Sequence, residues 1–325
     1  MARYLITGIA GFIGSSLAHA LVEKGHTVHG VDNLSTGNLD NLADIRDQIS
    51  FQQMDIQDVQ GMKEACEGVE IILHQAALAS VPRSVVDPVT SHESNINGTL
   101  NVLVAARDAG VRRIVYAASS SAYGDQPTQP KHEEMLPMPL SPYAVQKLTC
   151  EYYIQSFCRS YGLEGVCLRY FNIFGPRQAA DSPYSGVIAQ FTYKMMEGIT
   201  PTIFGDGLTS RDFTFIDNAV SANLLAATAP KDVATGRVFN IGTGKSHTLN
   251  EVYAVIAEQI GFTAKPEYGP ARAGDIQHSL ASIERARKDL GYEPLAHFHE
   301  GMRRTIAWYL EGKAKQQTEV VTLAN

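Results

Sequence analysis

The chain is short of positive charge: 27 Lys and Arg stand against 34 Asp and Glu, a formal net charge of -7. A nucleic-acid binder needs a basic face to offset phosphate charge, so that class is excluded and any cation must work locally. Cysteine is sparse as well, four residues at 66, 150, 158 and 167, with no CxxC pair and no histidine at zinc-ligand spacing. Neither a metal site nor a disulfide framework is expected, which fits a reduced, cytoplasmic protein. Long apolar runs are missing too. The opening Met1-Ala2-Arg3-Tyr4-Leu5 leads straight into a strand pattern, without the stretch a signal peptide or membrane span requires. Repeats and low-complexity tracts are absent.

What is present is 325 residues, 44% hydrophobic, enough to bury a sizeable core and to carry a second lobe fused to the first. Short apolar runs at Tyr4 to Thr7, Thr27 to Val31, Ile71 to His74, Arg113 to Ala117 and Gly165 to Arg169 read as strands, and the segments between them as helices. Buried strands alternating with helices predict an α/β fold with a doubly wound parallel sheet. After Asn172 the pattern loosens into Gly175-Pro176-Arg177 and the turn-rich Phe204-Gly205-Asp206-Gly207. The expected division is residues 1–172 for the sheet domain, with returning elements from 205–250, and 173–325 for a smaller α/β lobe. Helices are expected at Gly186 to Glu197, Asn250 to Ile260 and Ser282 to Leu290, with a fraying polar tail after Lys313.

The first strand runs into Gly8, Gly11 and Gly14, with Phe12 and Ile13 between the last two, and then into the helical pattern Ser15 to Lys24. Glycines in that context let backbone approach a pyrophosphate at a helix N-terminus. The spacing is GxxGxxG, one residue wider than the commoner GxGxxG. The next strand ends in Val31-Asp32-Asn33, and a carboxylate roughly 20 residues on can accept from both ribose hydroxyls. The same carboxylate repels a 2′-phosphate, and no Arg follows directly in Asn33-Leu34-Ser35-Thr36-Gly37, so NAD is favoured over NADP. Asn33, Ser35, Thr36 and Gly37 are counted with Asp32 in this cofactor site.

A Tyr hydroxyl, with an ordinary pKa of about 10, is a poor base at neutral pH. In Tyr143-Ala144-Val145-Gln146-Lys147 the lysine stands one helical turn after the tyrosine. Its ammonium on the same face is expected to stabilise the phenolate, together with a positively charged nicotinamide. Ser119, at the end of the strand from Ile114 to Ala118, is placed to hydrogen-bond the reacting oxygen.

With these landmarks go Asp55-Ile56, His74-Gln75-Ala76-Ala77, Asn97-Gly98-Thr99, Ser119-Ser120-Ser121-Ala122-Tyr123-Gly124-Asp125, Leu168-Arg169-Tyr170-Phe171-Asn172 and Arg211-Asp212. The set spans most of residues 4 to 280. It resembles the extended short-chain dehydrogenase/reductase family and, within it, the nucleotide-sugar epimerases. The resemblance implies that Asp55 and Ile56 meet the adenine, while Gln75, Ala76, Ala77, Tyr143, Lys147 and Tyr170 line the rest of the NAD. It further implies that Arg211 and Arg272 pair with the substrate diphosphate, where a guanidinium can act bidentately. Asn172 corresponds to a sugar-diphosphate contact, Asp275 to one with a uridine ribose hydroxyl, and Ser80 and Ser120 belong to the same substrate site.

Family members share ketone formation at sugar C4 and differ in the fate of that ketone. The 4,6-dehydratases look like Thr-Asp-Glu-Val-Tyr-Gly at the catalytic serine, because elimination needs a carboxylate acid and base. The UDP-glucuronate decarboxylases look like Thr-Ser-Glu-Val-Tyr-Gly. Here those positions are Ser119, Ser120 and Ser121. What remains is reversible oxidation at C4, the requirement of a 4-epimerase.

Ala79 stands where the glucose/galactose epimerases often carry Lys, and Ser279 where some carry a bulky Tyr that closes the hexose pocket. Both departures resemble the bacterial UDP-N-acetylhexosamine 4-epimerases that serve surface polysaccharide synthesis. Preference for UDP-GlcNAc and UDP-GalNAc is therefore expected, with UDP-Glc and UDP-Gal as further candidates. A 6-carboxylated sugar stays open, since Arg83 suits either a carboxylate or a loop salt bridge. The rivals are a UDP-uronate epimerase (GlcA or GlcNAcA), a decarboxylase, and a non-catalytic NAD-binding regulator, for which an intact Ser119, Tyr143 and Lys147 serve no purpose. The family's homodimer implies pairing through Val89 to Gly110 and Tyr143 to Tyr161, although Leu100, Leu103, Leu148 and Tyr152 fit an ordinary core as well.

Overall fold

The computed structural model describes residues 1–180, 185–271 and 276–323, with side chains of the last helix up to Ala314. Seven strands form one sheet: β1 (Arg3–Thr7), β2 (Thr27–Asp32), β3 (Ile49–Gln53), β4 (Ile71–His74), β5 (Arg113–Ser119), β6 (Glu164–Tyr170) and β7 (Arg237–Ile241). They lie in the order β7-β6-β5-β4-β1-β2-β3 with every pair parallel. Alternation along each strand sorts the side chains into two cores. Tyr4 and Ile6 of β1 join Leu17 and Leu21 of helix Phe12–Glu23 on one face. Leu5 joins Ile72, Ile114 and Tyr116 on the other. Both faces are covered, as a parallel sheet requires.

Two strands escape the apolar-run reading. β3 is a half-buried edge strand, and β7 returns from far along the chain to pair with β6. β7 lies within the 205–250 stretch expected to return to the sheet domain. Helix Pro142–Tyr161 opens on the Ser141 hydroxyl, which accepts from the Ala144 N–H at 3.2 Å, carries Pro at its first position, and stops at Gly162 with φ +74°. Those signals put Tyr143 in its first turn and Lys147 in its second.

The expected single stretch Val89 to Gly110 is instead three pieces: Pro88–His92, a π-turn at Glu93–Asn97, and Gly98–Asp108. Within the smaller lobe, Ser210–Arg211 lies between His247–Thr248 and His278–Ser279, and helices Val187–Met196 and Leu249–Ile260 stand close to the expected bounds. The tail differs from expectation. Helix Phe298–Leu323 continues past Lys313, whose ammonium donates to the Met196 carbonyl at 2.6 Å and pairs with Glu197 at 2.7 Å. Lys313 thus ties this helix to the C-terminal end of helix Val187–Met196. Among the described residues no helix is long and apolar enough to cross a membrane.

Candidate active site

β1 has β2 on one side and β4 on the other, so the chain leaves the sheet in opposite directions at its C-terminal edge. Such a switch point opens a crevice for a dinucleotide. A cavity of ≈240 Å³ occupies it, lined by Gly8, Gly11, Phe12, Ile13 and Gly14 from the turn, Asp32, Asn33, Ser35 and Thr36 after β2, Asp55 and Ile56, and Gln75, Ala76 and Ala77 after β4. Ser94, in the π-turn, joins them without any pattern in the sequence to announce it.

The glycines there are required by space. A Cβ on Gly14 would lie 2.0 Å from the Gly8 carbonyl oxygen, and one on Gly8, at φ +72°, would lie 2.8 Å from the Ala76 nitrogen. No side chain caps the first turn of helix Phe12–Glu23, so its amides face the crevice for an anion to satisfy. Asp32 is buried and accepts from the Ala10 N–H at 2.9 Å and the Leu34 N–H at 2.8 Å; burial, its main influence, raises its pKa. With the Gly11 amide also acting on it, the carboxylate keeps acceptor capacity for a ribose hydroxyl. A small-residue cradle, an open helix end and a carboxylate at the far wall fit a dinucleotide. Gly37 does not line the cavity: it packs on Asp32, 2.9 Å from its carboxylate if given a Cβ, and so shapes the site from behind.

The crevice continues into a second cavity of ≈440 Å³, where Ser119, Ser120, Tyr143, Lys147, Tyr170, Asn172, Arg211 and Ser279 meet. Ser119 is the last residue of β5, and its oxygen accepts from both the Ser121 N–H at 3.2 Å and the Ser121 hydroxyl at 2.9 Å. Burial pushes the Tyr143 hydroxyl up to about 12, opposed by a hydrogen bond with Ser119. Burial pulls Lys147 down to about 8. Lys147 donates to the Ala117 carbonyl at 2.7 Å, with its nitrogen 5.9 Å from the Tyr143 ring centre. The expected depression of the tyrosine by this lysine is not seen: burial dominates the Tyr143 hydroxyl, and the group that lowers it is Ser119.

Ser80, expected in the substrate site, stands at the head of a short helix. Its hydroxyl caps helix Val81–Val86 by accepting from the Arg83 N–H at 3.2 Å, and neighbours Ala79 and Val81, not Ser80, line the cavity. Ser84, beside it, accepts from the Tyr143 N–H at 3.0 Å and fixes the start of the helix that carries Tyr143 and Lys147. Arg272 and Asp275 lie outside the described residues. Arg211 donates to the Ser210 and Gln277 carbonyls at 2.9 and 3.2 Å, which sets it and Asn172 at the boundary with a third hollow of ≈220 Å³ holding Thr202, Phe204 and Leu249. Lys131 and Gln178 also line the second cavity, and neither is expected there from the sequence. Among the described residues no group of His, Cys, Asp or Glu is arranged to hold a metal ion.

Residues 4–242 match the family model described as "NAD dependent epimerase/dehydratase family". A UDP-glucose 4-epimerase of Mycolicibacterium smegmatis is 39% identical over 94% of this chain and 98% of its own. A UDP-glucuronate 4-epimerase of Thermodesulfobacterium geofontis is 35% identical over 96% and 97%. The solved UDP-N-acetylglucosamine 4-epimerase of Methanobrevibacter ruminantium, in complex with UDP-N-acetylmuramic acid, superposes with a TM-score of 0.91 at 36% identity, covering 96% of this chain and 99% of that one. The dinucleotide crevice, the Ser119/Tyr143/Lys147 cluster at its end and full-length likeness agree: the chain belongs to the NAD-dependent epimerase/dehydratase family.

Proposed function

We infer that this NAD-dependent nucleotide-sugar 4-epimerase inverts C4 of UDP-hexoses, with UDP-GlcNAc and UDP-GalNAc preferred over UDP-Glc and UDP-Gal. One observation carries the reaction type: among the described residues that line the catalytic cavity with Ser119, Tyr143 and Lys147, none is a carboxylate. Among them dehydration finds no carboxylate acid or base, and a neutral 4-keto sugar is left with reduction.

NAD supplies the acceptor, and afterwards the donor, of the C4 hydride. Tyr143 accepts the O4 proton and later returns it, Ser119 hydrogen-bonds O4, and Lys147 holds positive charge behind the phenol. Turning the sugar between the two transfers requires that the protein grip the nucleotide and leave the hexose loose. Arg211 and Asn172 suit the diphosphate, and the hollow with Phe204 suits the base. Ala79 and Ser279 leave room for a 2-acetamido group, while an unfilled pocket penalises the plain hexose by only about 1–3 kcal/mol. The protein works as a homodimer in the cytoplasm.

The test is incubation of the purified protein with UDP-GlcNAc and UDP-Glc separately, without added NAD, read by anomeric NMR. Interconversion of the C4 pairs, faster for the N-acetylated sugar, is expected. Failure to interconvert either pair overturns the reaction; equal specificity for both overturns the preference.

A further inference from the structure

Three cations, Lys131, Lys147 and Arg211, line the second cavity in a chain whose net charge is -7, and among the described residues no carboxylate lines it with them. Two have tasks in the reaction above: Arg211 at the diphosphate end, Lys147 behind Tyr143. Lys131 has none. It lies on the loop that follows the catalytic serine, and the same loop is stitched to the strand that carries Ser279. The Lys131 N–H donates to the Leu280 carbonyl at 2.7 Å, and its carbonyl accepts from the Ser282 N–H at 2.8 Å and from Asn240 Nδ2 at 2.9 Å. Gln129 closes the seam, donating to the His278 carbonyl at 2.7 Å.

The position is therefore rigid, and the side chain is 1% exposed. Its ammonium donates to one neutral acceptor, the Gln126 carbonyl. An ammonium has three N–H donors, and a buried cation answered by one carbonyl and, from an exposed position, by the Asp125 carboxylate is only partly compensated. We propose that Lys131 is a specificity-determining residue for the hexose, binding a carboxylate at C6 and so admitting UDP-hexuronates to the same site. The chemistry matches from both sides, because a sugar carboxylate brought into a low-dielectric cavity needs a cation, and this is the one the reaction leaves over. Burial lowers the Lys131 pKa, with Asp125 opposing, and an incoming carboxylate reverses that trend. Ser279, on the strand stitched to Lys131, keeps room for a 2-acetamido group, so an N-acetylhexosaminuronate satisfies both features at once.

The inference rests on the 4-epimerase reading and extends its substrates. Holoprotein, Lys131→Met and Lys131→Gln are assayed on UDP-GlcNAc, UDP-GlcA and UDP-GlcNAcA, with bound NAD per chain as the measure of intact folding. The wild type is expected to epimerise the acidic sugars. In both variants kcat/KM for them should fall by about tenfold or more beyond any change with UDP-GlcNAc, the scale of one charged hydrogen bond. Lys131→Gln keeps a donor toward Gln126, so it reports the charge even if Lys131→Met does not fold. Turnover of UDP-GlcNAc but not of the acidic sugars by the wild type overturns this inference alone, as does an equal loss on neutral and acidic sugars. Turnover of none of the three overturns the 4-epimerase reading with it.

Discussion

The Ser121 hydroxyl donates to the Ser119 hydroxyl oxygen at 2.9 Å. The residue standing where the related dehydratases resemble Glu is thus a hydrogen-bond donor that orients the serine beside Tyr143. With both lone pairs of Ser119 taken by the Ser121 N–H and hydroxyl, the Ser119 proton is directed toward the Tyr143 hydroxyl and the cavity beside it. Ser121→Ala should leave Ser119 able to turn away. The expected result is a kcat about two- to tenfold lower with little change in KM, the range of one net hydrogen bond, since the contact matters to the reacting state and not to nucleotide binding. Steady-state kinetics on UDP-GlcNAc measure it; a change in KM alone would assign Ser121 to substrate binding instead.

Lys147 offers a test through pH. Burial holds it at about 8, against an ordinary 10.5, so the folded chain releases this proton before the unfolded chain does. Between those values the unfolded state binds more protons, and this group's contribution to stability improves as pH rises; below about 8 the burial cost is present in full. Lys147→Met lacks the term. Its melting temperature relative to wild type should therefore fall steadily as pH is raised from about 8 to about 10, and its turnover should be lower by about 100-fold or more. A difference that is flat with pH would mean that Lys147 titrates like an exposed lysine.

The parts of the site that were legible are those where backbone geometry restricts residue type. Gly8 and Gly14 cannot carry a Cβ, Asp32 ends a buried strand opposite them, and Tyr143 and Lys147 are one turn apart on a helix with evident start and stop signals. Lys131 was not legible, because its place in the cavity depends on contacts with Leu280 and Ser282, about 150 residues away along the chain. Ser80 has a task that is legible locally: a serine before Val81-Pro82 caps a helix, and its hydroxyl accepts from the Arg83 N–H. β3 has the half-buried pattern of an edge strand, so no apolar run marks it.

Ser279 bears on the sugar. It lies in register with Arg211 on the neighbouring strand, and both line the catalytic cavity. A tyrosine there would fill the space that suits the 2-acetamido group without touching the catalytic trio. Ser279→Tyr should lower kcat/KM for UDP-GlcNAc by about tenfold or more relative to UDP-Gal, within the range that steric misfit in a pocket supplies. Competition assays with the two sugars read the ratio directly; an unchanged ratio would remove Ser279 as a selector.

Quaternary state is open to a similar test. Of the residues weighed for pairing, Leu103 and Leu148 are buried in the subunit, whereas Tyr152 is 55% and Val89 70% exposed. Val145 is exposed on the same helix as Tyr152, and Val85 and Val86 are exposed near Val89. Burying one such side chain against a second copy is worth about 1.5–3 kcal/mol, and several in one patch outweigh the cost of association. Light scattering at micromolar concentration should give twice the chain mass. Val89→Asp combined with Tyr152→Asp should give the single-chain mass with bound NAD retained, because an uncompensated carboxylate is tolerated at this surface only when it stays in water. A wild type that runs as a single chain would remove the dimer. A double variant that stays dimeric would move the interface elsewhere on the molecule.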